Sequence, residues 1–409
     1  MTDVVEDPPS RTRWRVPSGT PLVVVSACVA AVQMSWSLVV PVLPQYATQF
    51  GLGPAQLGLV VGIFGIGRVL VNIPAGVLAD RVDRRWLLLW SVLAVVLTQA
   101  LTGLATGYWS LLAARLATGI AGGVAITSGM SLLADLTTTR SRGRDMATLQ
   151  AFQLAGGSLG PVVGGLLVVP FGLRVPFLVS GAAAVVVAVW AWRVLRTVPP
   201  PADTAPGSAP RGPWFTRDVV GVCLLGFSVF FHRFGGMQSL IPIIAYGAIG
   251  IGVAQMGLLL GGITLVTVLV VRWAGTLSDR LGRKRVIVPA MAVAAAGSAG
   301  LALSDSLAVF LVATLVTGLA AGFGGSAPAA YLADVVAPAV RGRSVGVYRT
   351  FGDVGTIAGP VALGVAAEVW GSGAAALLLA GVLVVCTAAF GVLSRESSGP
   401  HRAAPPGDG

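Results

Sequence analysis

This sequence predicts an all-α membrane protein of twelve transmembrane helices, six in each half of the chain, and three observations carry the prediction. Hydrophobic residues make up 55% of the chain and charged residues 11%, with a mean hydropathy of +0.85; a soluble globule carries about 25% charge. Apolar stretches long enough to cross a hydrocarbon core of about 30 Å recur along its whole length. The halves also repeat each other at a constant offset of 199 residues: GLGPAQLG at 51–58 returns as GIGVAQMG at 250–257, Asp135 as Asp334, and Gly160-Pro161 as Gly359-Pro360. Parallel repeats in one apolar chain are a signature of secondary transporters, whose substrate site lies between the repeats.

Taken in order, residues 1–20 are a tail, acidic and Pro-rich before Arg11. An N-terminal unit, 21–195, holds apolar stretches at 21–45, 55–79, 86–105, 109–133, 146–169 and 174–195. The first of these is far longer than a signal-peptide core of about 7 to 15 residues, so it is expected to stay attached as the first span. Residues 196–217, with TVPPPADTAPGSAPRGPWFT, are too rich in Pro, Ala, Gly and Ser to pack and form a linker. A C-terminal unit, 218–395, repeats the pattern at 219–246, 254–277, 286–303, 307–333, 344–369 and 373–394, and 396–409 is a disordered tail. The 55 glycines cluster in spans 2, 4, 5, 8, 10 and 11, where small residues let helices approach closely. Cys28, Cys223 and Cys386 lie in apolar stretches without disulfide or metal spacing and read as small buried hydrophobes.

The net charge of +11 raises the question of nucleic acid, and the positions of the basic residues exclude it. Of 27 Lys and Arg, 21 fall in the termini and in alternate loops, including Arg81, Arg84 and Arg85, Arg140, Arg142 and Arg144, and Arg280, Arg283, Lys284 and Arg285. The intervening loops carry Arg174 alone. By the positive-inside rule both termini and the linker are cytoplasmic, and the chain is a multi-pass protein of the cell membrane.

GVLADRVDRRWLL at 76–88 and GTLSDRLGRKRVI at 275–287 join spans 2 to 3 and 8 to 9. A short turn here sets a carboxylate at a helix end beside guanidinium groups, where it pairs with cations or with a neighbouring helix N-terminus. Both loops resemble the signature of the major facilitator superfamily, although Asp83 stands where the family usually has Gly. The resemblance covers about residues 20 to 395 and implies two six-helix bundles around a central cavity, working by alternating access. It further implies that Gly76, Asp80, Arg84 and Asp135, and in the second copy Gly275, Asp279, Arg283 and Asp334, latch the halves together in the outward-open state. Read without the resemblance, these charges are topology determinants.

GGSLGPVVGG at 156–165 resembles the span 5 motif of drug:proton antiporters through Gly156, Gly160, Pro161, Gly164 and Gly165. Pro in mid-helix removes a backbone hydrogen bond and bends the helix, which makes this segment a candidate hinge or a static kink. Arg115, four residues before Gly119, resembles the span 4 motif of the same branch, and the pair Pro41 and Pro44 resembles its paired prolines. Where many of that branch carry an acid in span 1, this chain offers Gln33, Ser35, Trp36 and Ser37.

Charges deep in a bilayer are expensive and tend to be functional. Candidates for the proton and substrate pathway are Arg68, Arg115, His232, Arg233, Arg349 and Asp353, together with Gln33 and Trp36. Asp353 lies roughly 14 Å into a helix beginning near Ser344, at about 1.5 Å per residue. Arg349, one turn away on the same face, can pair with it, and read without a functional role the two are a neutralised couple that holds helices together. Glu368 is expected in water at the outer surface. Trp36, Phe64, Phe152, Phe230, Phe231, Phe234, Trp273, Tyr331 and Tyr348 are the aromatics available to line an amphiphile site.

No GxxxxGK[ST] loop is present, so an ion gradient is the expected energy source. The expected function is proton-coupled efflux of a small amphipathic molecule or drug. The alternative is a permease for an anionic metabolite, and a membrane-embedded enzyme or sensor lacks the clustered groups it needs. Expected partners are a small-molecule substrate, protons and the lipid bilayer. Neither a metal, a cofactor, catalytic residues nor nucleic acid is expected, and the protein is expected to work as a monomer.

Overall fold

The computed structural model describes residues 20–137, 142–197, 216–325, 327–336 and 341–397. Most of the expected linker and tails thus lies outside the described residues. Every regular element among the described residues is helical. The first half contains α1 (Thr20–Ser37), α2 (Leu43–Phe50), α3 (Pro54–Arg81), α4 (Arg84–Gly103), α5 (Tyr108–Leu136), α6 (Arg142–Phe171) and α7 (Val175–Leu195). The second begins with α8 (Arg217–Phe230), which runs on through a wider π-helical stretch, Phe231–Leu240, the short α9 (Ile241–Ile244) and a further π turn. It continues with α10 (Val253–Leu281), α11 (Arg283–Gly300), α12 (Leu307–Gly325), α13 (Ala327–Val335) and α14 (Arg341–Leu393).

Among the described residues, ten helical segments are long and apolar enough to cross a membrane; α14 bends into two at Gly371, and the shorter apolar Leu307–Ala320 completes twelve. The first span departs from its expected extent. Helix α1 stops at Ser37 and the chain passes through turns before α2, because Pro41 and Pro44 withdraw the amides that a continuous helix would use.

The repeat returns as repeated backbone conformation. Gly51 and Gly250 both take a positive φ, +65° and +74°, and so do Gly172 and Gly371, +81° and +85°, each pair one offset apart. After the first pair, Gln56 and Gln255 each accept the amide of the glycine that opens the next helix, at 3.0 and 2.9 Å. One pair breaks the symmetry. Gly282 sits at φ +101° between α10 and α11, whereas its counterpart Asp83 keeps a negative φ of −55° and caps α4 with its own side chain. Its carboxylate accepts the Arg85 amide at 2.9 Å and the Arg85 guanidinium, and these hydrogen bonds hold it below the usual carboxylate range. Aspartate is therefore accommodated in the first turn by a different geometry, not by strain.

Each half has its own core. Val29, Val92, Leu132 and Ala188 pack in the first, and Phe310, Tyr331, Leu379 and Phe390 in the second. Between the halves, α3 lies along α14 and α6 along α10.

Candidate functional site

The two halves meet through a part-buried ion pair among the spans. Arg68 of α3 donates from Nη2 to Asp353 Oδ1 of α14 at 3.0 Å, and Asn72, one turn further along α3, donates from Nδ2 to Oδ2 at 2.8 Å. Asp353 is only 6% exposed. A carboxylate with both oxygens engaged by the opposite half ties the halves together, and removing either charge would strand the other in a poorly solvated place. Here the structure corrects the expected pairing. Arg349 makes no ion pair with Asp353; its Nη2 instead reaches Met130 Sδ of α5 at 3.9 Å. Asn72, a neutral residue in an apolar helix, carried no signal in the sequence beyond lying one turn from Arg68.

Beside the ion pair runs a cross-interface stack of aromatic rings. Trp36 lies between Phe64, at a centroid separation of 5.4 Å and 20° between planes, and Phe234, at 5.3 Å and 17°. Phe230 extends the stack from Phe234 at 6.4 Å. Two rings come from each half, so the stack must part or slide when the halves move. Arg115 of α5 lies over the Phe64 ring, its guanidinium carbon 5.4 Å from the centroid. Arg115 is 2% exposed, and its Nε and Nη1 find no hydrogen-bond acceptor among the described residues. The π-helical stretch supplies His232, equally buried with Nε2 unpartnered, and Arg233. Arg68 is within electrostatic reach of both Arg233 and Arg349.

The other expected aromatics go elsewhere. Phe231 packs on Phe227, and both Phe231 and Tyr348 belong to the second core. Tyr331 donates to Asp218 at 2.8 Å, and Trp273 is 77% exposed on the outside of the bundle. Phe152 is half-buried on α6. Gln33 is half-buried and faces α6 near Gly157.

At the end of the bundle that holds Gly53, the halves are pressed together backbone to backbone. A Cβ on Gly58 would lie 2.2 Å from the Pro360 carbonyl oxygen, and one on Gly257 would lie 2.4 Å from that of Pro161. Gly165 and Gly257 face each other, a Cβ on either lying 2.9 Å from the other's Cα, and Gly58 and Gly364 do so at 3.2 and 3.1 Å. The seam is finished by Tyr246, which donates to the Pro41 carbonyl at 2.8 Å, and by Glu368, whose Oε2 accepts the Ala55 amide at 2.9 Å. Glu368 is exposed, as expected, and in addition caps α3 from the opposite half. Of the candidate hinge residues, Gly156, Gly160 and Gly164 let α6 touch the backbone of α1, while Gly165 and Pro161 meet α10.

Towards the opposite end the contact loosens: a Cβ on Gly76 of α3, Gly275 of α10 or Gly346 of α14 would meet nothing within 4 Å. Arg84 donates to Asp135 at 2.5 Å and to the Ala79 carbonyl at 2.9 Å, and Arg283 pairs with Asp334. Both ion pairs stay within one half, fastening α4 to α5 and α11 to α13. The side chains of Asp80 and Asp279 lie outside the described part of the structure.

A family model described as Major Facilitator Superfamily matches residues 25–271 and 222–409. Quinolone resistance protein NorA of Staphylococcus aureus is 25% identical over 148 residues, 36% of this chain and 38% of NorA. Multidrug resistance protein MdtG of Yersinia enterocolitica is 31% identical over 167 residues, 40% of each chain. These alignments thus span about two fifths of either relative. A crystal structure of a bacterial homolog to the human lysosomal transporter Spinster, in an inward-facing and occupied conformation, superimposes with a TM-score of 0.78 at 17% identity, covering 91% of this chain and 96% of that one.

Proposed function

The chain belongs to the Major Facilitator Superfamily, and we propose that it exports small amphipathic molecules in exchange for protons by alternating access. The observation that carries this reading is the Asp353 carboxylate, the acid in the middle of the spans, bound across the interface by Arg68 and Asn72. The Gly53 end is the extracellular one, both termini are cytoplasmic, and the conformation described above is closed outwards. In this state deprotonated Asp353 holds Arg68, and substrate enters from the cytoplasm. After the halves rock and substrate leaves, a proton from outside discharges Asp353 and releases Arg68. The return movement delivers that proton to the cytoplasm, where the ion pair forms again. Names given to NorA and MdtG as resistance proteins support the direction of transport.

The short loops serve the opposite state. Gly76 and Gly275 face open space here, so their small size has room to matter when the cytoplasmic ends close. Asp80, Arg84 and Asp135, with Asp279, Arg283 and Asp334, then latch those ends. Gly156, Gly160, Pro161, Gly164 and Gly165 form the sliding and bending surface of α6. One chain contains both halves of the site, and it works as a monomer in the plasma membrane.

The test is transport in membrane vesicles with an imposed pH gradient, against a panel of amphipathic compounds. Asp353→Asn is expected to abolish pH-driven accumulation while preserving substrate exchange. Proton-driven transport at the original level in that variant overturns Asp353 as carrier, and His232→Gln becomes the next variant to measure.

A further inference from the structure

We infer that the molecule carried is an aromatic organic anion, whose negative group is received by Arg115 and whose ring joins the Trp36, Phe64, Phe234 and Phe230 stack. The inference rests on the export reading and names the substrate class of that same site. Its first ground is charge. Among the described residues, the middle of the spans holds Arg68, Arg115, Arg233 and Arg349 against a single carboxylate, Asp353. That carboxylate is already engaged by Arg68 and Asn72 through both oxygens. Arg115, by contrast, has Nε and Nη1 buried without an acceptor among the described residues. Arginine does not discharge itself by losing a proton, so a membrane interior with this composition stays positive until an anion enters.

The second ground is how Arg115 is held. Its guanidinium carbon lies 5.4 Å from the Phe64 ring centroid, a cation–π contact that supplies none of its N–H groups with an oxygen acceptor. Those at Nε and Nη1 are buried and unpartnered, an expensive condition unless an acceptor comes to them. A carboxylate or sulfonate is such an acceptor. Arg233 adjoins Phe234 in the chain, and Arg68, one helical turn from Phe64, is within electrostatic reach of it.

The third ground is the stack, which consists of near-parallel rings contributed equally by two halves that must separate. A planar ring offers the rings it displaces the same offset face contacts they lose. A cationic amphiphile would gain the ring contact but meet unneutralised guanidinium groups, with no free carboxylate to offset them.

Three probes with one ring system separate these factors: naphthalene-2-carboxylate, its uncharged methyl ester, and naphthalen-2-yl-trimethylammonium. Binding of each to the purified full-length protein is measured by titration calorimetry, and pH-driven transport of each is measured in vesicles. The carboxylate is expected to bind at least tenfold more tightly than the other two. Arg115→Gln is expected to remove at least tenfold of that preference with ester binding unchanged. Equal or tighter binding of the ester or the ammonium by the unsubstituted protein overturns the inference, whatever the variant does, as does failure to bind any of the three. Transport of the ammonium without the carboxylate also overturns it while leaving export intact. Tight carboxylate binding without any pH-driven movement keeps the anion site and defeats the export reading instead.

Discussion

Replacing Gly257 by alanine adds one methyl group at the point where α10 crosses α6, and the geometry sets the size of the effect. The new Cβ would lie 2.4 Å from the Pro161 carbonyl oxygen and 2.9 Å from the Gly165 Cα, where ordinary contacts begin near 3.4 Å. Both neighbours are backbone, so no side chain can swing away, and the helices must part by about 1 Å at this level. Overpacking of this kind costs about 1 to 3 kcal/mol. The cost falls on the closed Gly53 end alone, because the helices are apart there when that end opens. The ratio of the two states should therefore move towards the outward-open one by roughly 5- to 150-fold. A single cysteine at Val361, which touches the Gly62 position in the closed seam, reports the shift as faster labelling by an impermeant thiol reagent added outside. Gly262→Ala is the matched control on the same helix, since a Cβ there meets nothing within 4 Å. Should Gly257→Ala label no faster than Gly262→Ala, the seam is not what closes this end, and the reasoning fails.

Glu368→Gln keeps the size of the α3 cap but removes its charge, and is expected to speed external labelling at Val361 by less than Gly257→Ala, since exposed charges at helix ends contribute only about 0.3 to 1 kcal/mol; no change at low salt would contradict a latching role. Asp83→Ala should lower thermal stability by about 1 kcal/mol at neutral pH. Because the folded state depresses the Asp83 pKa, its contribution is present above the unfolded carboxylate value of about 3.9 and disappears as pH falls through the lower folded value. Wild type and variant should accordingly converge in acid, and a constant difference down to low pH would rule out the cap. Single cysteines at Thr197 and Asp305, both exposed, should be labelled from the cytoplasmic and external sides respectively, against a silent background from the buried Cys28, Cys223 and Cys386. The reverse pattern would invert the topology.

Much of the architecture is written in the order of residues because it depends on covalent geometry and local chemistry. An offset of 199 residues was enough to expect that Gly51 and Gly250 do the same thing, and both take the left-handed conformation that a side chain would oppose. Twelve apolar stretches imply twelve spans because helix rise and bilayer thickness are constants. The break after Ser37 follows from prolines already visible at 41 and 44. Partnerships across the interface have no such local rule. Spacing along one helix put Arg349 beside Asp353, yet Arg68 and Asn72 hold the carboxylate, because which residues of α3 face α14 depends on the rotation and depth of two whole helices. Those are set by where glycines permit backbones to touch, at Gly58 against Pro360 and Gly165 against Gly257. The same placement selected four aromatics out of nine for the central stack and turned Glu368 from a solvated surface acid into a cap on the opposite half. Sequence by itself determined the spans, their repeat and their charges; tertiary structure decided which charge meets which, since a helix carries its own periodicity but not the position of its neighbour.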